Sequence, residues 1–308
     1  MLEVGTNSGA MVSIVDELSG YSGQFAALSK RLPCAQPLPS LSVVAEIAEN
    51  LRTVLFPGYF GSTEANGENL RLHMGSTLDF VARVLKEQIR RALCFECEGP
   101  EAISNCSWRA AQLTRRFLEK LPEVQRILVE DVRAAYEGDP ACTTPDEAIL
   151  AYPGLYALTF YRIAHVLFEL EVPLLPRVIT EIAHSATGID IHPGARIGKQ
   201  FFIDHGTGVV IGETCIIGNR VRLYQGVTLG AKSFHLDEEG RPIKGIPRHP
   251  IIEDDVIIYS GATILGRVTI GRESVIGGNV WLTRGVPPGS RVTQGTARYD
   301  TFHFGSGI

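Results

Sequence analysis

The chain has 308 residues, of which 44% are hydrophobic and 20% charged, with a net charge of −5 and six cysteines. That length fits two domains better than one core, and the composition excludes general disorder. No dense run of Lys and Arg occurs, which argues against a nucleic-acid or anionic-membrane partner, since both need clustered positive charge.

The opening segment carries Glu3, Asp16 and Glu17 and no basic residue before Lys30. A secretory signal needs a basic start and an apolar run, so none is expected. No apolar stretch approaches the ~20 residues of a membrane span. The cysteines at 34, 94, 97, 106, 142 and 215 therefore read as reduced thiols of a cytoplasmic protein rather than a disulfide framework.

Residues 1–40 read as a loosely ordered lead-in, since PCAQPLPSLS disfavours a helix. An α-helical domain is expected over 41–185. Ser42 precedes one helical pattern and Ser76 a longer one; another spans about 107 to 136, bent near Pro122. A last helix is expected from about 145 to 170, ending before Pro173 and Pro176. Cys94-x-x-Cys97 with Cys106 resembles half a zinc site, but no second pair completes it. Helix packing is the better reading, so no metal is expected.

At residue 189 the spacing changes from helical to a period of six. Stepping from Ile191 gives Ile197, Ile203, Val209, Cys215, Val221 and Val227, with a companion row Ile211, Ile217, Leu223 and Leu229. After an interruption, Ile252, Ile258, Ile264, Ile270, Ile276 and Leu282 form one row. Val256, Ala262, Val268, Ser274, Val280 and Val286 form another. A hexad is a short strand plus a turn with an apolar side chain pointing inward; stacked coils line these into columns. Three hexads per coil make a triangular prism, expected over 186–290, with a flexible tail over 291–308. The Gly- and Pro-rich 231–251 segment leaves the prism as a loop, the place where scaffolds carry function. Cys215, in an inward row, reads as core.

Stepping back six from Ile211 reaches His205, where an apolar residue would be routine. Asp204 adjoins it, and Asp190 lies fifteen residues earlier, close to it if a coil holds about eighteen residues. A carboxylate beside an imidazole fixes its tautomer and makes it a competent general base. A turn histidine satisfied by solvent has the same spacing. Arg248 and His249 close the loop, where a guanidinium could grip a carboxylate in two-pronged fashion or stand solvated. His165 and His184 read as structural.

The strings DIHPGARIG, IDHGTGVVIGET, QGVTLG, PRHP and GATILG, with GDPAC at 138–142 and FYRIAHVL at 160–167 upstream, resemble the serine acetyltransferases, which are hexapeptide-repeat acyltransferases. The resemblance covers roughly 135–290. It implies an α+β chain, with an N-terminal α-helical domain followed by a left-handed parallel β-helix. It implies acetyl transfer from acetyl-CoA to the hydroxyl of L-serine, giving O-acetyl-L-serine for cysteine biosynthesis. His205 matches the general base and Asp190 its carboxylate partner. Asp139, Asp204, Arg248 and His249 match substrate-binding positions. Backbone around Ser260, Gly261, Gly277 and Gly278 matches the acetyl-CoA path between subunits, and main-chain groups near Gly230 and Ala231 are candidate oxyanion donors. The resemblance also implies a trimer or a doubled trimer, feedback inhibition by L-cysteine, and capture of a terminal Gly-Ile, here ending at Ile308, by cysteine synthase. The 231–251 loop departs from the enteric bacterial form in being longer.

Three rival readings are weighed against this one. One is acyl transfer to a sugar or antibiotic hydroxyl, against which the helical half and GDPAC speak. Another is a zinc β-helix resembling the γ-type carbonic anhydrases, which needs three histidine ligands. The last is an inactive scaffold, which the intact Asp190, His205 and Arg248 oppose.

Overall fold

The computed structural model describes residues 8–21, 37–61, 67–94 and 99–295. Cys97 and Ile308, and with them the paired-cysteine reading and the tail's last residues, lie outside these.

The helices are α1 (Ser8–Gly20), α2 (Leu41–Leu55), α3 (Glu68–Leu93), α4 (Gly99–Gly138), α5 (Pro145–Ala151), α6 (Pro153–Glu169) and α7 (Leu175–Thr187). Helix α1 forms within the stretch read as lead-in, with Met11, Val12, Ile14, Val15 and Leu18 exposed. Ser40, not Ser42, caps α2, its side chain accepting from the Val43 N–H. Ser76 caps nothing: it lies inside α3, its hydroxyl donating back to the His73 carbonyl. The segment read as one helix from 145 is two, because Tyr152 precedes Pro153 and takes an extended backbone. Helix α6 ends at Glu169, before Pro173 and Pro176 as expected, and a separate helix, α7, follows. Pro176 sits in its first turn, where a missing N–H is no loss. Cys94 and Cys106 are buried, and one apolar core joins α2, α3, α4, α6 and α7.

The C-terminal part is built from fourteen short parallel strands among the described residues. The first prism face orders β1 (Asp190–Ile191), β4 (Val210–Ile211), β7 (Thr228–Gly230), β10 (Thr263–Leu265) and β13 (Trp281–Leu282). The second orders β2 (Arg196–Ile197), β5 (Ile216–Ile217), β8 (Ile251–Ile252) and β11 (Thr269–Ile270). The third orders β3 (Phe202–Ile203), β6 (Arg222–Leu223), β9 (Ile257–Ile258), β12 (Val275–Ile276) and β14 (Arg291–Val292). One apolar core runs through the prism. Cys215 belongs to it, and burial pushes its thiol up to about 12.

The period of six is not one unbroken column. Ile191 pairs with Ile211, and Ile211 with Leu229, so the first coil is two residues longer than the second. The extra residues fall in the turn between Ile203 and Val210. The inward column of Ile191, Ile197 and Ile203 therefore passes to Ile211, Ile217 and Leu223. Val209, Cys215, Val221 and Val227 form a second buried column.

Helix α6 closes the open end of the prism. Each coil donates its N–H groups to the next coil's carbonyls, as in Asp190 N–H to Val209 O and Arg196 N–H to Cys215 O. First-coil carbonyls therefore point toward the helices. Tyr161 Oη donates to Ala195 O at 2.6 Å. Arg162 donates to Ile197 O and Gly198 O, both at 2.6 Å. His165 Nδ1 meets Pro193 O at 2.7 Å, a structural role. Arg162 is held by Asp131 of α4 at 3.1 Å, both buried. Asp131 also accepts from the Phe201 N–H at 3.0 Å. Burial pushes the Asp131 carboxyl up, against the pull of Arg162 and the Phe201 N–H.

Breaking a buried pair from one side leaves an uncompensated charge. Arg162→Met should cost about 3–5 kcal/mol, measured by chemical denaturation. Asp131→Leu combined with Arg162→Met should recover part of that loss, though the Ile197 and Gly198 carbonyls stay without their donors.

Candidate functional site

The prism's turns stack into three edges, and two of them hold the chemistry-bearing residues. The edge joining the third face to the first carries Asp204 and His205. His205 is not an inward position. It lies in the turn that the two extra residues create, with φ at 55° and its side chain 71% exposed. Its Nδ1 lies 3.8 Å from Asp204 Oδ1. The next residue must be glycine: Gly206 has φ at 86°, and a Cβ there would meet the Ile189 side chain.

Asp139, just past the end of α4, belongs to the same neighbourhood. Its Oδ2 accepts from Tyr152 Oη at 2.6 Å and its Oδ1 from the Ala141 N–H at 2.8 Å. These bonds hold its carboxyl below the usual range, with Tyr152 the largest cause and the charges of His205 and Arg222 adding to it. Farther along this edge lie Ser260, Gly261, Gly277 and Gly278. Gly226 backs directly on Gly261: a Cβ on Gly226 would stand 3.4 Å from the Gly261 backbone. Glycines thus thin part of this edge to main chain, the surface a thin ligand arm can approach, with the Asn279 side chain lying against Gly261.

Arg248, His249, Gly230 and Ala231 lie on a different edge, joining the first face to the second. The 231–250 segment leaves the prism there, turning through an antiparallel bridge between Leu236 and Pro242. Arg248 donates to Glu213 at 2.7 Å, so a ligand carboxylate would have to share it. Thr214 orders the whole corner. Its Oγ1 accepts from the Arg248 and His249 N–H groups, and its own N–H donates to His249 Nδ1 at 3.0 Å. That acceptor role places the ring proton on Nε2. Gly212 makes room, since a Cβ there would run into the His249 ring. Burial holds His249 down to about 4, and Arg248 adds to this. His192, on the same edge, is also held down to about 4, by burial and then by the Arg177 charge.

Asp190 lies on the first face between these edges. Its N–H donates to Val209 O, against the far end of the His205 turn. Its carboxylate is 4.0 Å from Arg177 and is not within ion-pair distance of His205. Within one chain the predicted residues therefore divide. His205, Asp204 and Asp139 share one edge with Ser260, Gly261, Gly277 and Gly278, while Arg248, His249, Gly230 and Ala231 sit one face away.

Tyr152, Glu213 and Thr214 were not singled out from sequence. The one available signal was proximity to the recognised strings, Tyr152 following GDPAC and Glu213-Thr214 closing IGET. Among the described residues, no three His, Cys, Asp or Glu gather as a metal-holding group, and no helix is long and apolar enough to cross a membrane.

Comparison with known proteins adds an independent line. Residues 249–284 match the family described as bacterial transferase hexapeptide (six repeats). The chain is 56% identical over 276 residues to the plasmid serine acetyltransferase of Synechococcus elongatus, covering 88% of this chain and 86% of that one. Against the serine acetyltransferase of Mycobacterium tuberculosis identity is 47% over 162 residues, covering 53% and 67% of the two chains. Serine acetyltransferase 1 of Entamoeba histolytica, solved in complex with L-cysteine, superposes with a TM-score of 0.71 at 38% identity, covering 86% and 91%. The soybean serine acetyltransferase complexed with serine gives a TM-score of 0.53 at 30% identity, covering 85% and 99%.

The depressed histidines set a pH dependence of stability. As pH falls below about 6.5, the unfolded chain protonates His192 and His249 while the folded chain does not. Stability should therefore fall between about pH 6.5 and pH 4, read as a falling melting temperature. The variant with His192→Gln and His249→Gln should show a flatter profile over that window.

Proposed function

Because this chain belongs to the serine acetyltransferase family of hexapeptide-repeat acyltransferases, we propose that it transfers the acetyl group of acetyl-CoA to the hydroxyl of L-serine, for cysteine biosynthesis. The observation that carries this reading is the exposed imidazole of His205, beside Asp204, at the head of a glycine-lined edge.

In this mechanism His205 takes the hydroxyl proton as the serine oxygen attacks the thioester carbonyl. The tetrahedral oxyanion is met by main-chain N–H donors near Gly230 and Ala231. The intermediate then collapses, expelling the CoA sulfur, which takes the proton from the imidazolium. The products are O-acetyl-L-serine and CoA, and no acetyl-enzyme forms. Asp190 supports the base from the adjoining face. Asp139 and Asp204 hold the amino group, and Arg248 the carboxylate, with the neutral His249 offering its Nε2–H.

This assignment uses residues from two edges, so it calls for a neighbouring copy. In a threefold ring the edge carrying Arg248 and His249 on each chain meets the edge carrying Asp204 and His205 on the next, with every first face turned inward. Exposed apolar side chains on that face, Val210 at 37% and Trp281 at 68%, suit such burial. The reading is therefore a homotrimer with three shared sites.

His205→Ala should lower kcat about a hundredfold or more with the fold intact by circular dichroism, and Asp190→Asn should cost less. Near-normal acetylation by His205→Ala would overturn the assignment of the base. L-cysteine, with sulfur in place of the serine oxygen, should inhibit competitively with L-serine in a steady-state assay. Arg248→Ala should weaken L-serine and L-cysteine together.

A further inference from the structure

The edge that carries His205 also carries an aromatic stack that the reaction above leaves unused. The outward column at this corner runs, coil by coil, through Asp204, Tyr224, Tyr259 and Gly277. The hydrogen bonds from Asp204 N–H to Leu223 O, Tyr224 N–H to Ile258 O and Tyr259 N–H to Ile276 O fix that order. Tyr224 and Tyr259 lie ring on ring, with centroids 5.0 Å apart and planes inclined by 12°. On the next coil the column reaches Gly277, which has no side chain to continue the stack. Tyr259 remains 41% exposed. The result is a pair of stacked rings followed by a step without a side chain, between Tyr259 and Thr293 of the last coil.

A cation stands one coil beyond. Arg291 pairs in register with Val275, two residues before Gly277 on the neighbouring strand. Arg291 is exposed and forms no ion pair with any described carboxylate. An open aromatic face beside an uncommitted guanidinium suits a flat heterocycle joined to phosphate. The column also sets the distance. From the level of Asp204 to that of Gly277 is three coil steps, about 14 Å at the usual strand spacing. That is within the span of an extended pantetheine arm whose thioester sits at His205.

We propose that the open face of Tyr259 is the stacking step for the adenine ring of the acetyl donor, with Arg291 facing its phosphates. This rests on the reading of the donor as acetyl-CoA. Tyr224 backs the Tyr259 ring and holds it flat, and Gly277 leaves the slot that the adenine fills. Tyr259 is thus a specificity residue for the nucleotide end of the donor, remote from the chemistry.

The test is a calorimetric titration of the intact chain with CoA and with 4′-phosphopantetheine, which lacks the adenosine. Tyr259→Leu should weaken CoA about tenfold, while Tyr259→Phe, which keeps the ring, should bind CoA as the unaltered chain does. The phosphopantetheine affinity should be the same in all three. With the unaltered chain, the adenine H2 and H8 proton resonances of CoA should move upfield on binding, the signature of a ring stacked on another ring. Equal weakening of both ligands by Tyr259→Leu would overturn the proposal, and so would unchanged CoA affinity or an absent upfield shift. These measurements read binding without acetyl transfer, so their failure is distinguishable from failure of the serine reaction.

Discussion

The structure depends on what happens to the carbonyls of the first coil. A parallel β-helix satisfies its backbone by passing hydrogen bonds from coil to coil, and that chain of bonds must start somewhere. Buried backbone groups left without partners are costly. Here one helix answers four of them. Tyr161, Arg162 and His165 on α6 reach Pro193, Ala195, Ile197 and Gly198. Asp131 neutralises the arginine and also takes the Phe201 N–H. The helical half and the prism are therefore not two units joined by a linker. The helices complete the prism's hydrogen bonding, and Ala157, Leu158 and Tyr161 belong to its apolar core. Even the close approach is specified, since a Cβ on Gly154 would collide with Ile203 O.

The same economy places the candidate base. A regular prism offers short turns whose exposed positions are much alike. Two additional residues between Ile203 and Val210 make one turn larger, and the left-handed backbone at His205 lifts its imidazole off the surface. The repeat supplies rigidity, and its one early irregularity supplies the candidate base. At the later irregularity, the 231–250 excursion, Thr214 anchors the returning strand by accepting from two consecutive backbone N–H groups.

The parts of this architecture that repeat were legible in the sequence. Period-six rows predict inward columns because a column is buried only if every coil contributes to it. The rows nevertheless concealed a shift. Val209 and Ile211 are both apolar and both inward, so arithmetic continued smoothly across two inserted residues, and His205 was misread as an inward position. Among the helices, the end before Pro173 was legible, whereas the start of α7 was not, because Pro176 suits a first turn as well as it suits a stop. His205, Asp204, Asp190, Arg248 and His249 stood out from spacing and side-chain chemistry, but roles for them and for the other site residues came only from resemblance to known strings. Their division between two edges was not legible, because spacing along a chain says nothing about which corner of a prism a residue occupies. Tyr152 and Thr214 escaped for a related reason: their roles are set by contacts made across 13 and 35 residues of sequence.

The plug on the first coil also has a bearing on solubility. A stack of parallel strands is a template that can recruit more strands, and a prism with two open ends could add further prisms without limit, as cross-β fibrils add chains. Tyr161, Arg162 and His165 occupy the acceptors that such growth would use, so this end of the molecule is chemically blunt. Among the described residues the opposite end carries the short strand β14, whose Arg291 is exposed, a charge of the kind that keeps an edge from pairing. A scaffold whose local pattern invites endless polymerisation is kept to a single finite length by one helix at its base and one charged strand at its tip.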